Sequence, residues 1–321
     1  MFSTPILFIV FNRPDVTTRV FAEIKKLKPK QLFIVSDGPR PNRLDDIDNC
    51  AIVRKIIEDG IDWECDVKKL FFETNHGCGQ APFLAIDWFF KTVEEGIILE
   101  DDCLPHPSFF GFCQELLEKY RYESKIMMIS GDNFQNGINR GEYSYYFSHH
   151  SHTWGWASWR RAWKYFDFNM EVFPVFQEKR KIRDIWTRKI DQKYWLNIFK
   201  NSYKNLNKDF WDYQWTFAIW NNGGISCSPN VNLVSNIGFG EVATHTFFRS
   251  NKMMVLPVQA VALPLSHPLL IRVDKDADEY ENIYIFKIRW ARLLLVKIFK
   301  STILYSLFKR IYFKFFVNLG I

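Results

Sequence analysis

The sequence has no Cys-x-x-Cys pair, no long apolar run, no internal repeat and no low-complexity linker. Its six cysteines (Cys50, Cys65, Cys78, Cys103, Cys113 and Cys227) stand at irregular spacings. That pattern argues against both a zinc site and a disulfide framework, and it favours a reducing compartment. No stretch reaches the roughly 18 apolar residues of a membrane-spanning helix. The first apolar run, Pro5 to Phe11, has no basic stretch before it and reads as a core strand rather than a leader. No glycine-rich basic loop follows that strand, so a nucleotide-synthesising phosphate loop is not expected there. The net charge of +6 is modest, and no nucleic-acid partner is expected.

What is present describes a globular chain. It has 321 residues, 47% hydrophobic and 24% charged, enough for one large domain or two smaller ones. Pro5 to Phe11 is continuously apolar, as in a strand covered on both faces, and Asn12-Arg13-Pro14 breaks it. Val16, Val20, Ile24 and Leu27 recur at helical spacing. Gln31 to Val35 is a second buried strand, stopped by Ser36-Asp37-Gly38-Pro39. A helix over Leu44 to Glu58, a strand over Leu70 to Phe72, a helix from Gly77 to Thr92 and a strand over Gly96 to Leu99 follow. This order predicts a mostly parallel sheet with helices on both faces, whose ligand sits beyond the carboxyl ends of the strands. A further helix is expected over Ser108 to Tyr120. Beyond it the character changes, for nine of the twelve tryptophans fall between Trp154 and Trp220.

The fourth strand runs directly into Glu100-Asp101-Asp102. Three like charges at the end of a buried strand repel one another and lose solvation, so they call for a cation or a set of donors. A divalent metal carrying a diphosphate would satisfy them; a solvated acidic loop is the plainer alternative. Arg13 and Asp37 close the first two strands at the same edge. There an arginine can meet phosphate or a base, and an aspartate can accept from a ribose hydroxyl. Asp212, within Phe210-Trp211-Asp212-Tyr213-Gln214-Trp215, is either a carboxylate half-shielded by rings, suited to general-base work, or a cap on an aromatic core helix. Thr153 to Trp159 reads as a sugar or acceptor pocket or as a packing cluster. His245 is a metal or phosphate contact or a structural histidine, and His149, His150 and His152 read as loop. From Glu281 to Ile321, eight basic residues stand against one acidic residue, interleaved with aromatic and aliphatic ones. That composition suits an anionic membrane surface, or else an amphipathic helix pair packed on the domain.

On four of these segments the chain resembles GT-A glycosyltransferases, within them the inverting N-acetylglucosaminyltransferase I family and related bacterial nucleotide-diphospho-sugar transferases. The segments are Phe11-Asn12-Arg13-Pro14, Ser36-Asp37-Gly38, Glu100-Asp101-Asp102 followed by Pro107-Ser108-Phe109-Phe110, and Phe210-Trp211-Asp212, with a weaker match from Gly240 through His245 to Phe248. The resemblance implies an α/β GT-A fold, a mostly parallel Rossmann-like sheet flanked by helices with an aromatic-rich acceptor half; the helical C-terminal tail has no counterpart in that match and is expected from composition alone. The same resemblance implies a catalytic domain over 1–265, with a nucleotide-sugar half (1–130) and an acceptor half (131–265), and leaves 266–321 as a basic tail. It further implies a nucleotide-sugar donor, usually a UDP-sugar, bound with Mn2+ or Mg2+. Arg13, Asp37, Glu100 and Asp101 would lie by the donor, Asp102 and His245 by the metal, and Asp212 would deprotonate the acceptor hydroxyl. Where that family shows two adjacent acids after Phe-Trp, this chain has Asp212-Tyr213, which leaves Asp209 as another candidate base. The expected acceptor is a bacterial surface glycan or lipid-linked precursor. The expected location is cytoplasmic, on the inner face of the membrane.

Overall fold

A computed structural model describes residues 2–205, 209–238 and 256–288. In chain order the elements are β1 (Ile6–Val10), α1 (Pro14–Leu27), β2 (Gln31–Ser36), α2 (Leu44–Gly60), β3 (Asp66–Phe71), α3 (Gly77–Thr92), β4 (Glu95–Glu100) and β5 (Cys103–Pro105). Then come α4 (Ser108–Lys119), β6 (Ile126–Ser130), β7 (Tyr145–Ser148), β8 (Trp156–Trp159), α5 (Arg160–Trp163), α6 (Phe173–Glu178), α7 (Ile182–Ile185) and α8 (Lys189–Lys204). The remainder is α9 (Asp212–Asn221), β9 (Ile225–Pro229), β10 (Val234–Asn236) and α10 (Lys275–Tyr280), which runs into a π-helical turn, Glu281–Ile285.

The main sheet has the order β3-β2-β1-β4-β8-β6-β9-β7. β1 pairs in parallel with β2 and β4, β2 with β3, and β6 with β9, whereas β8 runs antiparallel between β4 and β6 and β7 antiparallel to β9. The sheet is therefore α/β and mostly parallel, as expected. Its strand β8 is the Trp156-Ala157-Ser158-Trp159 segment. Alternation along β1 sends Ile6, Phe8 and Val10 to one face and Leu7 and Ile9 to the other, which is why that strand reads as an unbroken apolar run. The first face is covered by α1, α2 and α4. The second holds α3 together with Trp156, Trp163, Trp186, Trp195, Trp211, Trp215 and Trp220. Most of the tryptophan cluster is thus core, and both cores draw on each half of the chain.

β3 begins at Asp66, four residues ahead of the expected Leu70. The early residues Asp66-Val67-Lys68-Lys69 look unlike a buried strand because β3 is the sheet's edge, where charged side chains discourage pairing with another chain. At the other end of the chain, Val273 bridges to Phe147, and Ala277, Asp278, Glu281, Asn282 and Ile288 are buried against the fold. Residues 289–321, which hold most of the basic tail, lie outside the described residues. No helix among the described residues is long and apolar enough to cross a membrane. Trp156 is 1% exposed, stacks on Trp211 and meets Trp215 at a tilt. Trp156→Ala should lower unfolding free energy by about 3–5 kcal/mol in urea denaturation, whereas an unchanged midpoint would deny it a core role.

Candidate active site

The carboxyl ends of β1, β2 and β4 open into one cleft of about 330 Å3 lined by Phe11, Arg13, Asp37, Arg40, Glu100, Asp101, Asp102 and Trp154, among others. The parallel pairing of these strands brings residues far apart in sequence to one edge. Pro14 opens α1 directly after Arg13, where its missing N–H costs nothing, so Arg13 is held at the strand-to-helix junction. Its guanidinium Nη2 donates to Asp101 Oδ1 and, at 2.9 Å, to Asp102 Oδ2. Asp101 Oδ2 also accepts from the Phe11 backbone N–H at 3.2 Å.

One guanidinium thus faces three acids. Burial, with Asp102 and Asp101 beside it, raises the proton affinity of Glu100 against the pull of Arg13. Burial likewise raises that of Asp101, with Arg13 opposing. For Arg13 burial works against the charge, but the two aspartates outweigh it and keep the group protonated. Glu100 and Asp101 therefore hold protons more tightly than free carboxyl groups do, and a cation placed beside them would favour their ionised forms. The triplet's hard oxygens suit Mg2+ or Mn2+. Among the described residues, no three His, Cys, Asp or Glu side chains converge as a ready-made cage. A metal of this class needs none, because one or two carboxylates and substrate phosphates commonly hold it. Asp102 fits that role. His245 lies outside the described residues.

The far wall is built by the two-stranded sheet β5–β10, in which Asn236 opposes Cys103 and the Ile237 N–H donates to the Asp102 carbonyl at 2.8 Å. This brings Gly238 so close that a Cβ there would overlap Asp102 Oδ2 and Arg13 Nη1. Asp37 lines the cleft, but its carboxylate is already spent. Oδ1 accepts from the N–H groups of Gly38 (2.8 Å) and His76 (2.9 Å), Oδ2 from Asn75 Nδ2 (2.9 Å) and the Gly77 N–H (3.1 Å). Four donors fill its roughly four lone-pair sites, so in this arrangement Asp37 fastens the loop that begins α3. Sequence reasoning missed Arg40, which lies 5.4 Å from the centre of the Phe11 ring and is held bidentately by Asp46 at 2.6 and 2.8 Å.

A second cavity, of about 170 Å3, adjoins this one. Trp154 lines both. Asp212 opens α9 and lines the second cavity, with its Oδ1 buried and unpartnered. Burial raises its proton affinity, opposed by the backbone N–H groups of Tyr213 and Asp212 itself, and its charge is felt by Glu100 in the first cleft. Asp209 is exposed and lies beside Cys78, whose thiol donates to the Asp209 carbonyl at 3.2 Å. Trp156 and Trp159 are buried core, so of the tryptophans between Thr153 and Trp159 only Trp154 meets a cavity.

The three neighbouring histidines do lie in a loop, yet two of them have carboxylate partners. His149 Nδ1 is 2.7 Å from Asp278 Oδ2 and His152 Nε2 is 2.7 Å from Glu281 Oε2. These partners are 129 residues away in sequence. They clamp the segment around α10 against the second cavity, whose wall includes Phe286.

No protein-family model matches the chain, and neither does any curated protein. Solved structures overlap it in part. The crystal structure of S. aureus TarS 1-349 is 10% identical over 72% of this chain and 59% of that one, with a TM-score of 0.39. This chain therefore spans less than two thirds of that TarS chain. Apo mouse xyloside xylosyltransferase 1 is 10% identical over 68% and 81%, with a TM-score of 0.32. The 4-diphosphocytidyl-2C-methyl-D-erythritol synthase from Anaerococcus prevotii is 11% identical over 62% and 84%, with a TM-score of 0.31. Overlaps this partial carry no functional argument, which rests on the geometry above.

Removing Arg13 would leave Asp101 and Asp102 without their cation. Arg13→Met should therefore cost about 3 kcal/mol of unfolding free energy, the low end for a broken buried pair because the guanidinium is partly exposed. Urea denaturation reads this directly, and a variant as stable as wild type would contradict the neutralising role.

Proposed function

We propose that the chain is a glycosyltransferase that moves a sugar from a nucleotide-diphosphate donor to an acceptor hydroxyl with inversion at the transferred carbon. The observation that carries this reading is the shared wall. An acid-rich cleft at the strand ends, with Arg13 set among its carboxyl groups, adjoins, through Trp154, a cavity holding a carboxyl group of raised proton affinity. In this reading Arg13 and the start of α3 face the donor, the triplet lies at its diphosphate, and Asp212 faces the acceptor. Asp212 takes the proton from the acceptor hydroxyl as its oxygen attacks the anomeric carbon. The carbon–oxygen bond to the diphosphate breaks, and the nucleoside diphosphate leaves with the electron pair. No covalent enzyme intermediate is needed. Mn2+ or Mg2+ at Asp102, joined by His245, would neutralise charge on the departing diphosphate.

The finer assignments rest on the resemblance and on composition. They are a UDP-sugar donor carrying a hexosyl or N-acetylhexosaminyl group, and a bacterial surface glycan or lipid-linked precursor as acceptor. The basic residues of 289–321 favour an anionic surface such as the inner face of the cell membrane. Synthesis of the nucleotide sugar is disfavoured, because β1 passes through Asn12-Arg13 straight into Pro14 of α1 and leaves no glycine cradle for a triphosphate. A purely glycan-binding role would leave the charged cleft without a task.

The test is to incubate the protein with Mn2+ and a panel of UDP-, GDP-, CDP- and dTDP-sugars, following donor hydrolysis and transfer. A separate assay follows pyrophosphate release from nucleoside triphosphate and sugar phosphate. Donor consumption should appear in the first assay and not in the second. Asp102→Ala should abolish turnover and metal-dependent nucleotide binding. Asp212→Asn should keep nucleotide binding while turnover falls by roughly 10²–10⁴. Full activity in Asp102→Ala would overturn the assignment.

A further inference from the structure

The second cavity holds a carboxyl group that the proposed reaction leaves unused. Asp132 lies just beyond β6, is 1% exposed, and lines this cavity together with Asp212. Its Oδ2 accepts from the Trp154 backbone N–H at 3.0 Å, and its Oδ1 has no partner. The backbone that carries it is fixed on two sides. The Gly131 N–H donates to the Gly155 carbonyl at 2.8 Å, and the Gly131 carbonyl accepts from the Leu233 N–H at 2.9 Å. A Cβ on Gly131 would run into Val234 and the Gly155 carbonyl, so Asp132 has little freedom to turn elsewhere.

The other polar groups nearby are largely spent. Ser151 Oγ pairs with Thr216 Oγ1 at 2.7 Å, and His152 Nε2 faces Glu281. Among the described lining residues, the buried side-chain oxygens without a partner are those of Asp132 and Asp212. A buried polar atom left unpaired costs about 1–3 kcal/mol. An asparagine could accept from Trp154 without bringing a second carboxyl oxygen into the dark. The fold keeps that oxygen all the same, and burial, with Glu281 adding to it, holds the group toward its protonated form.

We propose that Asp132 is an acceptor-specificity residue: its free oxygen pairs with a hydroxyl of a single sugar ring seated in the second cavity, while Asp212 faces the reacting hydroxyl. This rests on the glycosyl-transfer reading but concerns the acceptor alone. The cavity is smaller than the roughly 300 Å3 of a drug-sized site, which suits one ring rather than an extended chain. A hydroxyl both donates and accepts, so it can pair with a carboxyl group in either protonation state.

The experiment uses the full chain without donor and titrates methyl glycosides of glucose, galactose, rhamnose and N-acetylglucosamine, with binding read by ligand-observed NMR. At least one glycoside should bind wild type. Asp132→Ala should weaken it tenfold or more, and Asp132→Asn, whose amide also pairs with a hydroxyl, should stay within about threefold. In wild type, deleting one ring hydroxyl should reproduce the Asp132→Ala loss, and the same deletion should have no further effect in Asp132→Ala. The deoxy series in wild type keeps the test decisive should the alanine variant fold poorly. Nucleotide affinity should be unchanged in Asp132→Asn. Failure of every glycoside to bind wild type, equal affinity in Asp132→Ala, or an asparagine variant as weak as alanine would each overturn the inference. A wild type that binds glycoside through Asp132 but binds no nucleotide would sink the transferase reading and leave this one standing.

Discussion

One guanidinium set against three carboxyl groups is the constraint around which the site is arranged. The register of β1 with β4, in which Ile9 lies opposite Glu100, brings Arg13 to Asp101 and Asp102. The β5–β10 ladder then packs Gly238 against the same pair. Ionising these buried carboxyl groups is costly, and the one guanidinium offsets that cost only in part. The apolar sheet beneath supplies the rigidity that keeps these groups from relaxing apart.

Trp154 joins this electrostatic device to a second one. On one side lies the charged cleft, and on the other a cavity in which Asp132 and Asp212 keep unpaired oxygens. The second cavity is assembled from long-range contacts. The loop after β7 is clamped through His149 and His152 to Asp278 and Glu281, and Trp195 Nε1 donates to Asn282 at 3.2 Å. The segment that closes the cavity is also the one that leads into the basic residues beyond 288.

How far the sequence could be read follows from which contacts are local. β1, β2 and β4 are unbroken apolar runs ended by polar turns, so both their existence and their convergence were legible. β3 was read short because an edge strand carries lysines. Arg13 and the acidic triplet were legible because strand ends in a parallel sheet share one edge. The saturation of Asp37 was not, since three of its four donors come from residues 75–77 on another loop. Nor were the carboxylate partners of the histidines, which arrive from the far end of the chain. Asp132 did carry a signal. The apolar run Ile126 to Ser130 breaks at Gly131-Asp132-Asn133, much as Gln31 to Val35 breaks at Ser36-Asp37-Gly38, and that pattern marks a strand end. The tryptophans were ambiguous because an indole in a core and an indole in a cavity wall look alike in sequence; only Trp154 among its immediate neighbours took the second course.

The most direct measurement is a crystal structure of the protein soaked with UDP and Mn2+. Nucleotide is expected in the cleft between β1, β2 and β4, with Mn2+ held at Asp102 and with Arg13 still bound to Asp101. A cleft that stays empty under saturating nucleotide, or nucleotide bound away from the triplet, would contradict this expectation.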